Sequence, residues 1–497
     1  MDDDLYLGPA LRALETRHAD EQLMQRAGLA AADWAGELAA PGGLPILVIA
    51  GPGNNGGDAL VVARLLRERF FEVVVVFAGE AGRLPPDAAA AWQDFVAAGG
   101  STCADIPAEH RWSLIIDGLF GIGLSRAPEG RHAALIEAIN HLAHDRCPVL
   151  ALDSPSGLDA ERGCVLGNAV RASHTLTFIA GKPGLLTADG PDHCGQIRIA
   201  RLDLDPPAEQ APDGHRLGAA TIAEHLVPRR KNSHKGSFGS VGVLGGAPSM
   251  VGATFLAARA ALKLGAGRVY AGLVDPQAPS FDPLQPELML RRPHALLQSS
   301  LSALACGPGL GISLDASELL ETAIALDQPL VLDADALNLV ASEENLHQAL
   351  LARRTPAILT PHPAEAGRLL EIGAAEVQAD RLAAACRIAE RYRCQVALKG
   401  CGTVVATVDG QWWINTSGNP GMATAGMGDV LSGIVLALLG QGWPAVPALL
   451  AGVHLHGAAA DRLVAAGLGP VGLTAGEVID AARALLNDWL RQPSPHR

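Results

Sequence analysis

A run rich in glycine and asparagine, V-I-A-G-P-G-N-N-G-G-D at 48–58, stands between an apolar stretch and an amphipathic one. A turn from a strand into a helix presents backbone N–H groups to an anion, and glycines there allow a ligand to approach the backbone closely. Asn54, Asn55 and Asp58 add side-chain hydrogen-bonding groups that a bare phosphate cradle does not need. The run predicts a ligand-binding loop; the alternative is a tight turn followed by a helix cap.

Polar side chains also follow two further apolar runs of the first half. Asp117 ends the run L-I-I-D, and Asp153 and Ser156 lie in L-A-L-D-S-P-S-G. The carboxyl ends of parallel strands meet at one edge of a sheet, where ligands bind. We therefore expect these three residues to converge near the loop at 48–58, although a lone aspartate at such a place is more often a helix cap.

The second half contains N-T-S-G-N-P-G-M-A-T-A-G-M-G-D-V-L-S-G at 415–433. Gly426 and Gly428 before an apolar helix indicate a helix N-terminus that holds phosphoryl oxygens. Asp429 at that start is placed to take a proton from an attacking hydroxyl, unless it only caps the helix. Upstream, Lys399 in K-G-C-G-T ends a strand and adds phosphate-binding chemistry, although alone it is also consistent with a solvated surface charge.

The residues adjacent to each histidine indicate its role. His362 lies between Pro361 and Pro363, which restrict the backbone, so a ligand contact is favoured over a structural role. His454 and His456 are two residues apart and do not share a helix face, so a metal pair is not expected.

The elements that carry these residues follow from length and pattern. The 497 residues exceed what one hydrophobic core usually supports, and 49% hydrophobic with only 4% aromatic residues is typical of α/β enzymes. Residues 41–200 alternate short apolar runs with amphipathic stretches, which predicts a Rossmann-like, doubly wound parallel sheet. A dinucleotide G-x-G-x-x-G fingerprint is a weak match, because the third glycine is offset and no acidic partner follows about 20 residues later.

Periodicity is lost at 202–216, where we place a linker between domains at 1–210 and 218–497. A second α/β series follows the linker. Within it, V-V-A-T-V-D-G-Q-W-W-I predicts a hairpin with Asp-Gly at its turn, and an apolar helix is expected from about Asp429 to Leu439.

Charge and cysteine content limit the classes of partner and the cellular location that we expect. A formal net charge of −14 argues against nucleic acid, and the eight cysteines are scattered without a C-x-x-C pair. The acidic N-terminus and the lack of an uninterrupted run of about 18 apolar residues predict a cytoplasmic protein without a membrane partner. We also expect a homo-oligomer.

The motifs GPGNNGGD, DGLFGIGL and DSPSGLD resemble the N-terminal domain of the bifunctional NAD(P)H-hydrate repair enzymes over about 10–210. The resemblance implies interconversion of the R and S hydrates at C6 of the reduced nicotinamide ring. Asp153 would act as acid and base in the reversible loss and return of the hydroxyl. It also implies a potassium ion held by Asn55, Asp117 and Ser156. The residues implied for the hydrated dinucleotide are Asn54, Asn55, Gly56, Gly57, Asp58, Gly121, Ile122, Gly123, Leu124, Ser125, Arg126, Ala127 and Asp153. Ala59 and Ile122 depart from the family pattern.

The motifs KGSFGSVGVLGGAPSMVGA, CGPGLG, DADALN, TPHPAE, KGCGT and NPGMATAGMGDVLSG resemble the ADP/ATP-dependent NAD(P)H-hydrate dehydratases of the ribokinase-like superfamily over about 220–490. The resemblance implies transfer of a phosphoryl group from ADP to the C6 hydroxyl, with Mg²⁺, followed by loss of phosphate. The residues implied for the hydrate are Ala253, Gly309, His362 and Asp429. Those implied for the nucleotide are Lys399, Gly400, Cys401, Gly402, Thr403 and Gly428.

Three other functions remain open at this point. A vitamin-precursor kinase shares the G-x-G-D core, but two halves that both indicate a hydrated NADH or NADPH substrate argue against it. An NAD-dependent dehydrogenase would need the dinucleotide fingerprint. A non-enzymatic nucleotide-binding first half is a further alternative, since fold alone does not prove activity.

Overall fold

The computed structural model describes residues 4–39, 43–108, 111–124, 126–143 and 147–491. The chain divides into two units, Met1–Arg216 and Leu217–Arg497. Both units alternate strands with helices, so the predicted α/β class is confirmed. Among the helices in the described ranges, none is long and apolar enough to cross a bilayer.

The first unit is built from short strands and from helices of five turns or fewer. Its strands are β1 (Asp4–Leu5), β2 (Ile46–Ala50), β3 (Val73–Phe77), β4 (Thr102–Cys103), β5 (Leu114–Gly118), β6 (Val149–Leu152), β7 (His174–Phe178), β8 (Gln196–Ala200) and β9 (Gly214–Leu217). Its helices are α1 (Gly8–Arg17), α2 (Leu23–Leu38), α3 (Asn54–Glu68), α4 (Pro86–Ala97), α5 (Arg131–Ala143), α6 (Gly190–Cys194) and α7 (Pro206–Glu209).

A 7-stranded parallel sheet with the order β4-β3-β2-β5-β6-β7-β8 forms the centre of this unit. Val48, Ile116 and Leu150 pack on one face, and Leu47 and Ile115 pack on the other. Burial on both faces explains the nearly continuous apolar strands in the sequence. The strand order reverses between β2 and β5, so the loops that follow these two strands border the crevice where doubly wound sheets bind ligands.

The predicted linker at 202–216 contains regular structure. Helix α7 lies within it, and strand β9 pairs antiparallel with β1, with Asp4 opposite His215 and Leu5 opposite Gly214. Local periodicity does not reveal this strand, because its partner lies at the opposite end of the first unit.

The second unit is longer and contains more helix. Its strands are β10 (Ser240–Gly245), β11 (Arg268–Leu273), β12 (Met289–Arg291), β13 (Ala303–Cys306), β14 (Leu330–Leu332), β15 (Ile358–Leu359), β16 (Gln395–Leu398), β17 (Val404–Ala406) and β18 (Trp412–Asn415). Its helices are α8 (Ala219–Ile222), α9 (Val251–Lys263), α10 (Pro293–Leu297), α11 (Leu314–Ala325), α12 (Asp335–Ser342), α13 (Glu344–Leu351), α14 (Pro363–Leu370), α15 (Ala374–Ala379), α16 (Arg381–Tyr392), α17 (Met427–Gly440), α18 (Ala445–Ala465) and α19 (Ala475–Arg491).

The strands of the second unit follow the order β18-β17-β16-β15-β14-β13-β10-β11-β12. Pairing is parallel from β16 to β12, whereas β17 is antiparallel to both β16 and β18. The predicted hairpin is confirmed, with Gly410 at its turn in the left-handed region at φ +85°. The predicted apolar helix is confirmed as α17, whose residues are buried along almost the whole length.

Candidate active sites

The loop between β2 and α3 is shaped by close backbone contacts. A Cβ on Gly51 would overlap the carbonyl oxygen of Leu119, and a Cβ on Gly56 would overlap that of Gly51. Gly51 therefore lets the loop after β2 lie directly against the loop after β5, and Gly56 lets the start of α3 pack against Gly51. Asn54 is exposed at the start of α3, and Gly57 is buried behind it.

Asn55, Asp117 and Ser156 form a buried polar group, as predicted from the strand ends. Ser156 Oγ donates to Asp117 Oδ1 at 2.6 Å, and the Ser156 backbone N–H donates to Asp117 Oδ2 at 2.8 Å. Burial raises the pKa of Asp117 to about 6, and the hydrogen bonds from Ser156 oppose this rise. Asn55 Nδ2 donates to the Phe120 carbonyl at 2.9 Å, while Asn55 Oδ1 is buried with no hydrogen-bond partner in the described structure.

Asp153 lies directly after β6, in the left-handed region at φ 65°. The Ile122 backbone N–H donates to Asp153 Oδ2 at 3.3 Å, and a Cβ on Gly121 would stand 3.0 Å from the same oxygen. Asp153 Oδ1 forms an ion pair of 2.8 Å with Lys182. The first part of the loop after β5 and the Asp153 carboxylate therefore form one surface.

The rest of that loop is more exposed. Gly123, Arg126 and Ala127 are exposed, and Leu124 is half-buried. Ser125 lies outside the described residues.

Asp58 is half-buried on the second turn of α3. Burial raises its pKa well above the ordinary value, and Asp153, Glu15 and Asp87 raise it further. Burial and neighbouring carboxylates both disfavour the charged form of this carboxyl.

The start of α17 brings Gly428 and Asp429 close to the partly buried Lys399. Gly426, at φ +91°, occupies the N-cap position, so Asp429 lies in the first turn instead of capping it. A Cβ on Gly428 would stand 3.0 Å from Lys399 Nζ. Burial raises the pKa of Asp429 to about 7, with Asp333 adding to the rise and Lys399 opposing it.

Lys399 is part of an ion-pair network and is not a solvated surface charge. Its Nζ donates to Asp333 Oδ1 at 2.7 Å and lies 3.9 Å from Glu365 Oε2. Ser432 Oγ of α17 donates to Asp333 Oδ2 at 2.8 Å. Burial alone would lower the pKa of Lys399, but the Asp333 and Glu365 carboxylates raise it.

The loop from Gly400 to Thr403 is closed by its own hydrogen bonds. The Gly400 backbone N–H donates to Thr403 Oγ1 at 3.3 Å, and Thr403 Oγ1 donates to the Gly400 carbonyl at 3.1 Å. Gly400 and Gly402 have φ values of +146° and +60°, and Cys401 is exposed between them. The buried Arg381 guanidinium packs against Gly400, where a Cβ would stand 2.7 Å from Nη1.

Ala253 and Gly309 are brought together by Met250. The Ala253 backbone N–H donates to the Met250 carbonyl at 3.2 Å. Gly309 lies in the left-handed region at φ +62°, and a Cβ there would stand 2.5 Å from that same carbonyl oxygen.

His362 caps α14 with its own ring. Its Nδ1 accepts from the backbone N–H groups of Ala364 at 3.1 Å and Glu365 at 3.4 Å, and its Nε2 lies 3.1 Å from Glu365 Oε1. The ring is 48% exposed. The rigid placement that the flanking prolines predict is present, and contact with a ligand stays a prediction.

Two models of known families match this chain. A model described as "YjeF-related protein N-terminus" matches residues 20–184, and one described as "NAD(P)H-hydrate dehydratase" matches residues 241–481. The bifunctional NAD(P)H-hydrate repair enzyme of Coxiella burnetii is 39% identical, with 96% of each chain covered. The enzyme of that name from Escherichia coli is 40% identical over 94% of this chain and 89% of its own.

The chain belongs to the bifunctional NAD(P)H-hydrate repair enzyme family. The match extends over both halves, which confirms the resemblance inferred from the motifs and leaves no support for the kinase, dehydrogenase or non-enzymatic alternatives. An ADP/ATP-dependent NAD(P)H-hydrate dehydratase from Bacillus subtilis, co-crystallised with ATP/Mg²⁺, is 31% identical. Its alignment covers 54% of this chain and 97% of that chain, with a TM-score of 0.48.

Two charged residues beside the sites of this family member were missed from the sequence. Lys182 contacts Asp153, and Asp333 contacts Lys399. Asp333 directly follows β14, and Lys182 lies a few residues after β7. The strand-end argument that selected Asp117 and Asp153 applies to them equally and would have found them.

Proposed function

We propose that this chain restores hydrated NADH and NADPH in two steps, with an epimerase domain at 1–210 and a dehydratase domain at 218–497. The first would interconvert the R and S hydrates, and the second would convert the S hydrate with ADP to the reduced cofactor, AMP and phosphate. The observation that carries the proposal is the start of α17, where burial raises the pKa of Asp429 to about 7 beside Lys399. A base that titrates near neutral pH next to a cation and free helix N–H groups suits phosphoryl transfer.

In the epimerase step Asp153 donates a proton to the C6 hydroxyl and later accepts one from the returning water. When the hydroxyl receives a proton and leaves as water, the C6–O bond breaks and the lone pair of the ring nitrogen forms a C6=N bond. When water returns to the opposite face, the new C–O bond forms, the π electrons go back to nitrogen, and Asp153 accepts the released proton. Gly121 and Ile122 border Asp153 Oδ2, which supports a substrate position at that oxygen.

The buried group around Asp117 supports a potassium site. A carboxylate, a hydroxyl and the unpartnered Asn55 Oδ1 are all oxygen donors, which suit a hard cation of low charge. Such an ion would supply a fixed positive charge beside the loop after β5. Asn55, Asp117 and Ser156 would hold it.

In the dehydratase step Asp429 takes the proton of the C6 hydroxyl, and the oxygen attacks the β-phosphorus of ADP. The bond from that phosphorus to the AMP oxygen breaks, and AMP leaves. The ring nitrogen then expels the phosphate as the C6–O bond breaks, and loss of a proton from C5 restores the dihydropyridine. The Gly428 backbone and Lys399 are placed to stabilise the charge of the phosphoryl group in transfer.

Mg²⁺ would reach this site chiefly through nucleotide oxygens. Asp333 is already bonded to Lys399 and Ser432, and the described residues form no group of three or more His, Cys, Asp or Glu side chains that could hold a metal ion. A bound Mg²⁺ supplies charge neutralisation on the phosphates. The nucleotide contacts of Gly400 to Thr403 and the hydrate contacts of Ala253, Gly309 and His362 belong to the same proposal, as do a cytoplasmic location and a homo-oligomeric state.

The products test this reaction directly. Pure S hydrate, incubated with the protein, Mg²⁺ and ADP, should give reduced cofactor, AMP and free phosphate in equal amounts, followed by absorbance and ³¹P NMR. A phosphorylated organic product that accumulates and persists would contradict the elimination step and favour a small-molecule kinase.

A further inference from the structure

A buried lysine that the epimerase steps do not use lies beside Asp153. Lys182 follows β7 in the segment G-K-P-G, and its Nζ lies 2.8 Å from Asp153 Oδ1. The two side chains are only 3% and 12% exposed. Removing an ammonium group from water costs several kcal/mol unless close partners compensate for the loss of hydration. This position therefore requires a specific set of acceptors.

The Lys182 ammonium has an acceptor for each of its hydrogens. Its Nζ donates to Thr177 Oγ1 at 2.5 Å and to the Phe178 carbonyl at 3.2 Å, and the third partner is Asp153 Oδ1. An ammonium group carries three donors and no acceptor. Lys182 thus has no hydrogen left for a ligand, and any influence on the reaction passes through Asp153.

The two oxygens of the Asp153 carboxylate have different partners. Oδ1 faces Lys182 and also accepts from the Phe178 backbone N–H at 3.4 Å. Oδ2 accepts from the Ile122 N–H and lies beside Gly121. One oxygen is therefore bound to the protein interior, and the other is presented to the loop that borders the substrate position.

Two further carboxyl groups face Asp153 from other elements, Glu15 on α1 and Asp58 on α3. Burial raises the pKa of Glu15, with Asp153 adding to the rise and Lys182 opposing it. Burial and Asp153 likewise raise the pKa of Asp58. Three acids share this region, and among the described contacts Lys182 makes its direct ion pair with Asp153, so Asp153 is the carboxyl that Lys182 orients.

We propose that Lys182 is a positioning residue for epimerisation, which holds Asp153 Oδ1 and directs Oδ2 toward the reacting ring. This inference rests on the proposed epimerase function and deepens it. It assigns to Lys182 the orientation of the group that exchanges the proton with the C6 oxygen.

The first test uses pure R hydrate without ADP, with formation of the S hydrate followed by chromatography. Lys182→Met should lower kcat at least about tenfold with little change in KM, because the substrate still binds while Oδ2 is no longer held in place. Lys182→Arg keeps a cation beside Oδ1 and should retain most of the parental kcat. A Lys182→Met variant with the parental kcat would overturn the inference.

A double-variant cycle separates an effect through Asp153 from a general structural one. In an Asp153→Asn background Lys182→Met should cost less than about twofold, because the interaction is already removed. An equal loss in both backgrounds would show that Lys182 acts independently and would overturn the inference. The double variant also removes both members of a buried ion pair, so it remains informative if Lys182→Met alone unfolds the first unit.

Dehydration of S hydrate by the same samples, with ADP and Mg²⁺ added, reports whether the second unit is intact. If the parent protein does not accelerate epimerisation at all, the proposed function itself fails. That result is seen before any substitution is made, so it is distinct from a failure of the role of Lys182.

Discussion

At the scale of single residues, each proposed site combines an acidic group with one lysine, which is buried in the first unit and partly buried in the second. Lys182 pairs with Asp153 in the first unit, and Lys399 pairs with Asp333 in the second. A chain with a formal net charge of −14 cannot attract anionic ligands by its overall field, so local cations and helix N–H groups must supply the attraction. The environment of Asp429 gives the clearest consequence for pH.

We expect dehydratase kcat/KM to fall as the pH drops below about 7. Burial raises the pKa of Asp429 to about 7, and a base must be unprotonated to accept the hydroxyl proton. Activity is therefore full above this pKa and declines below it. Asp429→Asn should reduce kcat by about 10²–10⁴-fold at pH 8, measured with S hydrate and saturating ADP. An Asn variant with parental activity would rule out Asp429 as the base.

The stability of the second unit should depend on His456. This ring is only 7% exposed, and burial, with Lys399 adding to the effect, lowers its pKa to about 4. The unfolded state takes up a proton near pH 6.5 and the folded state only near pH 4, so stability is lost as the pH falls through this range. The loss attributable to His456 is about 3 kcal/mol.

Urea unfolding of the parent and of His456→Gln at several pH values between 7 and 4.5 checks this expectation. The difference in unfolding free energy between the two proteins should shift in favour of the variant as the pH decreases. A difference that stays constant over this range would contradict the assignment.

At the scale of elements, the loops after parallel strands carry the proposed sites. The loop after β2 lies against the loop after β5 through Gly51, and the start of α17 lies against Lys399 at the end of β16. These loops border sheets whose strands are buried on both faces, which fixes their spacing. Their glycines are therefore constrained by backbone contacts as well as by any ligand.

Gly56→Ala should destabilise the first unit, because its Cβ would overlap the Gly51 carbonyl. Overpacking of this kind costs about 1–3 kcal/mol or more. Gly53→Ala is the matched control, since a Cβ there meets no atom within 4 Å, and it should cost less than about 1 kcal/mol. Thermal unfolding compares the two, and an equal decrease in Tm would show that the close approach to Gly51 does not constrain the loop.

Elements defined by local pattern were predictable from the sequence, and partners set by strand order were not. The alternation of apolar runs predicted the parallel sheets, and Asp-Gly predicted the hairpin of β17 and β18. Strand β9 was missed because it pairs with β1 at the far end of the unit. The strand-end argument reaches Lys182 and Asp333 as candidates, but their partners Asp153 and Lys399 depend on which strands are neighbours, which composition and spacing do not determine.

At the scale of the whole molecule, the contacts described around each proposed site lie within a single unit. Every contact described around Asp153 joins residues of the first unit, and every contact around Asp429 joins residues of the second. The proposed product of the first reaction, the S hydrate, is the proposed substrate of the second. This relation accounts for the presence of both units in one chain without requiring transfer of substrate between the sites.

The recovery of reduced-nicotinamide absorbance from a mixture of R and S hydrates with ADP and Mg²⁺ tests the central claim most directly. The parent should restore the whole mixture, Asp429→Ala should restore none while still interconverting the hydrates, and Asp153→Ala should rapidly restore only the S fraction. No recovery by the parent with either ADP or ATP, or full rapid recovery by Asp153→Ala, would contradict two sites acting in series.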